Sequence, residues 1–337
     1  VTPREALSAV MEGRSLGREE MAEVMGAVMD GQVSDALLSG IIVALSVKGE
    51  SSDEIAGAVD ALRARCRPFP AEAGGALDVC GTGGDRAGTV NLSTAVSFVL
   101  AGGGVPVVKH GNRAVSSLAG SSDVLEALGI AVDITPEEAA RLFLLNGLTF
   151  LFAPLYHPAL RVAAAVRREL GVRTIFNLLG PLSNPAKVKR QVVGVYDRQK
   201  IETVVDVLEK TGSTEVMALH GDGLDEVNLS STTTILHLSG GRRSRMEVTA
   251  RDFGLPPSPL EAARGGDKKR NADLIGRVLA GEPFPLRDWV LAGAAPGFIV
   301  AGAASSLTEG VMLARESIDS GKALGVLKRW KGSFPAV

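Results

Sequence analysis

The chain has 337 residues, 45% of them hydrophobic and 22% charged, with a formal net charge of −2. That length carries one large or two unequal domains, and the near-neutral balance excludes the broad basic surface of a nucleic-acid binder. Only 4% of residues are aromatic while 40 are glycine, a composition of small, close-packed side chains and many turns. Cys66 and Cys80 are too few for a disulfide framework and read as buried, reduced thiols. Arg4, Glu5, Glu12 and Arg14 interrupt any apolar run at the start, so no secretory signal is expected. The uncharged stretches Ala87–Val108 and Trp289–Thr308 approach membrane-spanning length but are rich in glycine, alanine and hydroxyls, which places them in a protein core.

The first 67 residues read as helices. Thr2-Pro3-Arg4-Glu5 is a capping box with proline at the first helical position. Met21, Val24, Met25, Val28 and Met29 fall on one helical face that Gly31 ends, and Leu38, Ile41, Ile42 and Leu45 repeat the spacing. Ser51 and Glu54 cap a fourth helix whose Ile55, Val59, Leu62 and Cys66 share a face. Pro68, Pro70, Gly74 and Gly75 then read as a linker.

From Leu77 short β-rich runs alternate with helices, the grammar of a mostly parallel sheet. The expected strands are Leu77–Cys80, Val105–Lys109, Thr149–Ala153, Val192–Tyr196, Val216–His220 and Thr234–Leu238. The expected helices are Leu92–Ala101, Val124–Leu128, Pro136–Asn146, Pro158–Leu170, Gln199–Lys210, Asn271–Leu279 and Leu307–Ser320, the last closing the chain with Gly321 as its stop. Ala295-Pro296-Gly297 is expected to interrupt an alanine-rich helix. The fold class is therefore α/β: a small N-terminal helical domain over residues 1–70, to which the segment around 158–185 is joined, and a larger α/β domain over 76–337 with a mostly parallel central sheet.

Three loops carry the chemistry. After the first strand comes Gly81-Thr82-Gly83-Gly84-Asp85, then Asn91-Leu92-Ser93-Thr94 at a helix start. It lacks the third glycine of a dinucleotide fingerprint, and Thr89 stands where a P-loop needs lysine. What remains is a loop whose glycines let backbone N–H groups approach an anion at a helix N-terminus. Taken alone, a glycine turn with ordinary capping explains it equally well. The second strand ends on Lys109-His110-Gly111-Asn112-Arg113, followed by Ser116, Ser117, Ser121 and Ser122, a polar loop suited to close over a charged ligand. The third loop holds Asp225-Glu226, adjacent carboxylates of the kind that hold Mg²⁺ with few protein ligands and leave positions for water and phosphate. In isolation such a pair is most often a solvated turn.

Together these segments resemble the anthranilate phosphoribosyltransferase family. The resemblance extends through Val166-Arg167-Arg168-Glu169-Leu170-Gly171, Arg173–Pro185 and Glu316–Leu324, and so covers essentially the whole chain. It implies transfer of a phosphoribosyl group from 5-phosphoribosyl 1-diphosphate (PRPP) to anthranilate, with release of pyrophosphate, in tryptophan biosynthesis. It implies PRPP contacts at Gly81, Gly84, Asp85, Thr89, Asn91, Leu92, Ser93, Thr94, Lys109, His110, Gly111, Asn112, Arg113, Ala114, Val115, Ser116, Ser117 and Ser121. Mg²⁺ would be held by Ser93, Asp225 and Glu226, and anthranilate by Gly81, Asn112, Arg167 and Gly180, with Arg167 matched to its carboxylate. No residue is marked as a general base. The resemblance further implies a cytoplasmic homodimer formed through the helical domain, with no nucleic acid or membrane as partner. His157, His220 and His237 show no metal spacing and read as structural or exposed.

Two alternatives stay open. A pyrimidine nucleoside phosphorylase shares the architecture and a glycine loop, but should lack the Asp225-Glu226 pair and the Arg167 and Gly180-Pro181-Leu182 segments. A non-catalytic nucleic-acid-binding relative is disfavoured by the net charge.

Overall fold

The structure, a computed structural model, describes residues 1–85, 87–114 and 118–333. Four helices open it: α1 (Pro3–Met11), α2 (Arg18–Met29), α3 (Asp35–Lys48) and α4 (Ser52–Ala64). Their starts follow from the sequence, since Thr2 and Ser51 each form a complete capping box with the glutamate three residues on. The expected faces are the buried ones: Met21, Val24, Met25, Val28 and Met29 on α2, and Ile55, Val59 and Leu62 on α4. Each such fully buried side chain stabilises the fold by roughly 1.5–3 kcal/mol relative to exposure. Cys66 lies beyond the end of α4, so it does not share that helical face.

The remainder runs β1 (Leu77–Gly81), α5 (Leu92–Gly102), β2 (Val107–Gly111), α6 (Ser121–Ala127), α7 (Pro136–Asn146), β3 (Leu148–Phe152), the single turn α8 (Ala153–Tyr156), α9 (Ala164–Leu170), α10 (Phe176–Leu182), β4 (Arg190–Gly194), α11 (Ile201–Lys210), β5 (Glu215–His220), β6 (Thr233–Ser239), β7 (Arg242–Val248), α12 (Lys268–Leu279), α13 (Leu286–Val300), α14 (Leu307–Asp319) and α15 (Lys322–Lys331). The seven strands form one sheet in the order β3-β2-β1-β4-β5-β6-β7. The first five are mutually parallel and the last two antiparallel.

Several elements depart from expectation for identifiable reasons. The β7 strand was not expected because Arg242, Arg243 and Arg245 face solvent there and no apolar alternation betrays it. The α10 helix is short and mostly buried, so it has no polar face to give a period. The α13 helix runs through Pro296 without interruption, and its burial on nearly every side again removes the amphipathic signal. Pro158–Leu170 divides into a 3₁₀ stretch, Pro158–Ala163, and α9. Gly321, at φ +73, ends α14 but is followed at once by α15, so α14 does not close the chain. Strands β2 and β4 are shifted by two residues from the expected Val105–Lys109 and Val192–Tyr196.

One face of the sheet is covered by α5, α7 and α12–α15, around Trp289, Phe298 and Trp330. On the other face Val193, Val195, Val216 and Ala218 share a continuous core with α9–α11 and with the helices α1–α4. The four-helix bundle is thereby packed against the sheet through α10 and α11. No helix among the described residues is long and apolar enough to cross a membrane.

Candidate active site

The strand order reverses between β2-β1 and β4-β5, and in open parallel sheets ligands bind at the carboxyl ends of the strands beside such a reversal. All three loops emerge there. β1 ends at Gly81, its partner β4 at Gly194, and β2 at Gly111. The loop with Asp225 and Glu226 folds down over Gly81 and Gly194. A Cβ at Gly81 would run into the Asp225 carboxylate, and one at Gly194 into the Asp225 backbone. Only glycine permits that approach at either position.

The carboxylates are tied to the first loop. Asp225 Oδ2 accepts from the Gly83 N–H at 2.6 Å, and Glu226 Oε1 from the Ser93 N–H at 3.2 Å, in the first turn of α5. Burial, and next the Asp85 charge, push the Asp225 carboxyl up. Burial, followed by the Asp225 charge, raises Glu226 to about 8. Asp85 Oδ2 is itself buried without a hydrogen-bond partner among the described residues. Three carboxylates thus converge, and burial and mutual repulsion raise two of them.

Lys109 supplies part of that charge from below. It is only 3% exposed, donates to the Val79 carbonyl, and holds Ser93 Oγ at 3.1 Å. Its ammonium is therefore turned into the floor of the site and not toward solvent. Burial lowers its pKa, and Asp78 is the largest opposing influence. Asp78, fully buried in β1, accepts from Asn184 Nδ2 at 2.9 Å and the His110 N–H at 3.2 Å, while Asn184 Nδ2 also reaches the Val108 carbonyl at 2.8 Å. This network under the loops was not anticipated from the sequence. A carboxylate inside the apolar run Leu77-Asp78-Val79-Cys80 was its one visible signal.

Burial raises Asp78 from 3.8 to about 6. A carboxyl with a raised folded pKa contributes stability that is full below the unfolded value and lost as pH rises through the folded one. Relative to Asp78→Asn, the parent chain should therefore lose roughly 3 kcal/mol between pH about 4 and about 7. Urea denaturation across that range checks it, and a flat difference contradicts it.

In the second loop, Asn112 Oδ1 accepts from the Arg113 N–H at 2.7 Å, and the Asn112 carbonyl takes Ser121 Oγ at 3.3 Å. Asp123 Oδ2 receives the N–H groups of Ala114 and Gly120 at 3.0 and 2.9 Å. Arg113 pairs with Asp123 and Glu126 and lies over the Phe152 ring, so its guanidinium is engaged within the loop. Asn91 joins both loops, donating to the Ala119 carbonyl at 3.1 Å and accepting from Asn271 at 3.0 Å. Thr89 bridges to Arg264. The expected contacts Val115, Ser116 and Ser117 lie outside the described residues.

Arg167 and Gly180 form a further wall. The Arg167 guanidinium sits 5.3 Å from the centre of the Phe176 ring, is half-buried, and makes no ion pair among the described residues. Burial lowers its pKa. Phe176 and Gly180 are four apart on α10 and so share one side. The Gly180 carbonyl accepts from His110 Nδ1 at 3.0 Å, which joins this wall to the second loop. His110 meets His157 edge-on at 5.1 Å, and His157 Nε2 bonds the Ser183 carbonyl at 3.1 Å. Burial holds the two imidazoles down, at about 3 and about 4, so both are neutral at pH 7. His157, expected to be structural or exposed, is buried. His220 is fixed between the Val195 carbonyl and the Gly223 N–H.

A helical bundle packed on a mostly parallel sheet, with a glycine loop and paired carboxylates at the strand reversal, defines the class. Residues 4–66 match the helical bundle domain and residues 73–324 the a/b domain of the glycosyl transferase family. The chain is 48% identical over 324 residues to the anthranilate phosphoribosyltransferase of Rhodopseudomonas palustris (strain ATCC BAA-98 / CGA009), covering 96% of both. It is similar to the solved structure of anthranilate phosphoribosyltransferase from Thermus thermophilus, with a TM-score of 0.92 and 44% identity over 97% of this chain and 98% of that one. The enzyme from Saccharomyces cerevisiae, solved in complex with PRPP and Mg, has a TM-score of 0.87 and 27% identity, over 98% of this chain and 97% of the yeast chain. The chain belongs to the anthranilate phosphoribosyltransferase family.

Proposed function

We propose that the chain transfers the 5-phosphoribosyl group of PRPP to the amine of anthranilate, giving N-(5′-phosphoribosyl)anthranilate and pyrophosphate, a step of tryptophan biosynthesis. The observation that carries this reading is the meeting of the glycine loop with Asp225 and Glu226 at the strand reversal.

The donor set fits Mg²⁺. Two carboxylates and the Ser93 hydroxyl are hard oxygen ligands, few enough to leave positions for water and phosphate. Their burial and mutual repulsion are what a divalent cation relieves. Asp225, Glu226 and Ser93 would hold the ion, which when bound supplies positive charge to a departing diphosphate.

The protein's own groups do the rest. Loss of diphosphate from the anomeric carbon leaves oxocarbenium character on the ribose, so stabilising the leaving anion is the main demand. In this reading the glycine loop and the start of α5 surround that anion, and Lys109 adds charge from beneath while fixing Ser93. The amine of anthranilate is a neutral aryl amine that attacks without prior deprotonation, so holding it in line is a matter of proximity. Arg167, without a carboxylate partner among the described residues and backed by Phe176, suits the substrate carboxylate. Arg167→Ala is expected to raise the anthranilate KM about tenfold or more with a smaller change for PRPP. Equal losses for both substrates would remove Arg167 from that role.

Residues 1–70, together with the segment around 158–185, are read as the helical domain, and 76–337 as the α/β domain. The same reading has the chain form a homodimer through the helical domain, whose α3 exposes Val43 and Val47, and work in the cytoplasm, a compartment that suits the free Cys66 and Cys80. The decisive assay follows the fluorescence of anthranilate as it is consumed with PRPP and Mg²⁺. No consumption, together with phosphorolysis of a pyrimidine nucleoside, would reverse the reading.

A further inference from the structure

Arg173 takes no part in the chemistry above, yet three parts of the molecule meet on it. Its guanidinium lies 3.5 Å from the centre of the Tyr196 ring, and its Nη2 donates to the Gly84 carbonyl in the glycine loop. Its own carbonyl accepts from Ser46 Oγ at 3.3 Å, and Ser46 belongs to α3 of the helical bundle. Tyr196 is anchored in turn, its N–H donating to Thr82 Oγ1 at 3.0 Å while the Thr82 N–H reaches the Gly194 carbonyl at 2.9 Å. The bundle makes a second tie nearby, where Glu50 takes Lys200 Nζ at 2.9 Å. The φ of +78° at residue 84 favours glycine, and a Cβ there would push the Arg173 guanidinium off the carbonyl.

We infer that Arg173 is a positioning residue that sets the glycine loop and couples its shape to the helical bundle. The inference deepens the PRPP reading and rests on it. In a planar trans peptide the C=O and the next N–H point in opposite directions. Pinning the Gly84 carbonyl toward Arg173 therefore aims the Asp85 N–H away from it and fixes a donor that a mobile loop would leave free to rotate. A guanidinium does this better than an ammonium, because its flat face stacks on Tyr196 while its edge donates. Ser46 ties α3 to the same backbone segment, so the bundle and the glycine loop are held through one residue.

The test compares Arg173→Ala, Arg173→Lys and Tyr196→Leu with the parent chain. Hydrogen exchange at the amides of Thr82–Asp85 is read without substrates, and KM is read for PRPP and for anthranilate. Arg173→Ala should speed exchange in those amides and raise the PRPP KM about tenfold, with anthranilate KM changed by less than about threefold. Arg173→Lys should fall between parent and alanine variant, and Tyr196→Leu should shift both readouts in the same direction. Unchanged exchange at Thr82–Asp85, or equal shifts in the two KM values, would overturn the inference. If the parent chain does not consume PRPP, the functional reading fails while the exchange measurement still decides whether Arg173 holds the loop.

Discussion

Replacing Asp225 and Glu226 together by alanine is expected to cut Mg²⁺-dependent turnover by about a thousandfold, the equivalent of about 4 kcal/mol in the barrier. The size follows from where the pair stands. Both carboxylates are drawn against the glycine loop and the first turn of α5, and the position of Asp225 depends on Gly81 and Gly194 having no side chain. Removing them takes away the cation's ligands and two acceptors that shape the loop. The fold itself should tolerate the change, because burial opposes the charge on both groups and their loss relieves repulsion. Steady-state rates against Mg²⁺ concentration, with urea denaturation as a control, separate these effects. Unchanged turnover with a normal metal response would take both residues out of the site.

Lys109→Met should destabilise the chain by about 3–5 kcal/mol and depress turnover as well. Lys109 interacts with the charges of Asp78, Glu226 and Asp225, and Asp78 is the largest of its charge interactions. With the ammonium gone, Asp78 keeps its Asn184 and His110 partners but loses its countercharge. Ser93 also loses the bond that fixes its hydroxyl. Adding Asp78→Asn to Lys109→Met should recover much of the stability, since both members of the pair then leave together, and little of the turnover. A double variant no more stable than Lys109→Met would show that Asp78 and Lys109 are not coupled.

Much of the molecule was legible in the chain itself. Capping boxes at Thr2 and Ser51 and the apolar faces of α2 and α4 placed the helical bundle, because local hydrogen bonds and a 3.6-residue period act within a few residues. The parallel part of the sheet followed from apolar runs separated by helices. The site loops were recognisable because anion binding needs glycine, hydroxyls and exposed backbone, which are distinctive types at short spacing. Elements with little contrast between their faces stayed hidden: α10 is short and mostly buried and β7 is exposed along most of its length, while α13, buried almost all round, gave no sign that it runs on through Pro296.

What the sequence alone determined, then, was the set of elements and the chemical character of the three loops. Tertiary structure decided which charges neutralise which. Nothing local shows that Lys109 turns inward to Val79 and Ser93, that Asp78 stands beneath His110, or that Arg113 is engaged by Asp123 and Glu126. Nor does it show that Arg173, 89 residues from Gly84, closes on that carbonyl. Such pairings depend on burial and on the order of strands in the sheet, both of which arise only when segments distant in the chain are brought together.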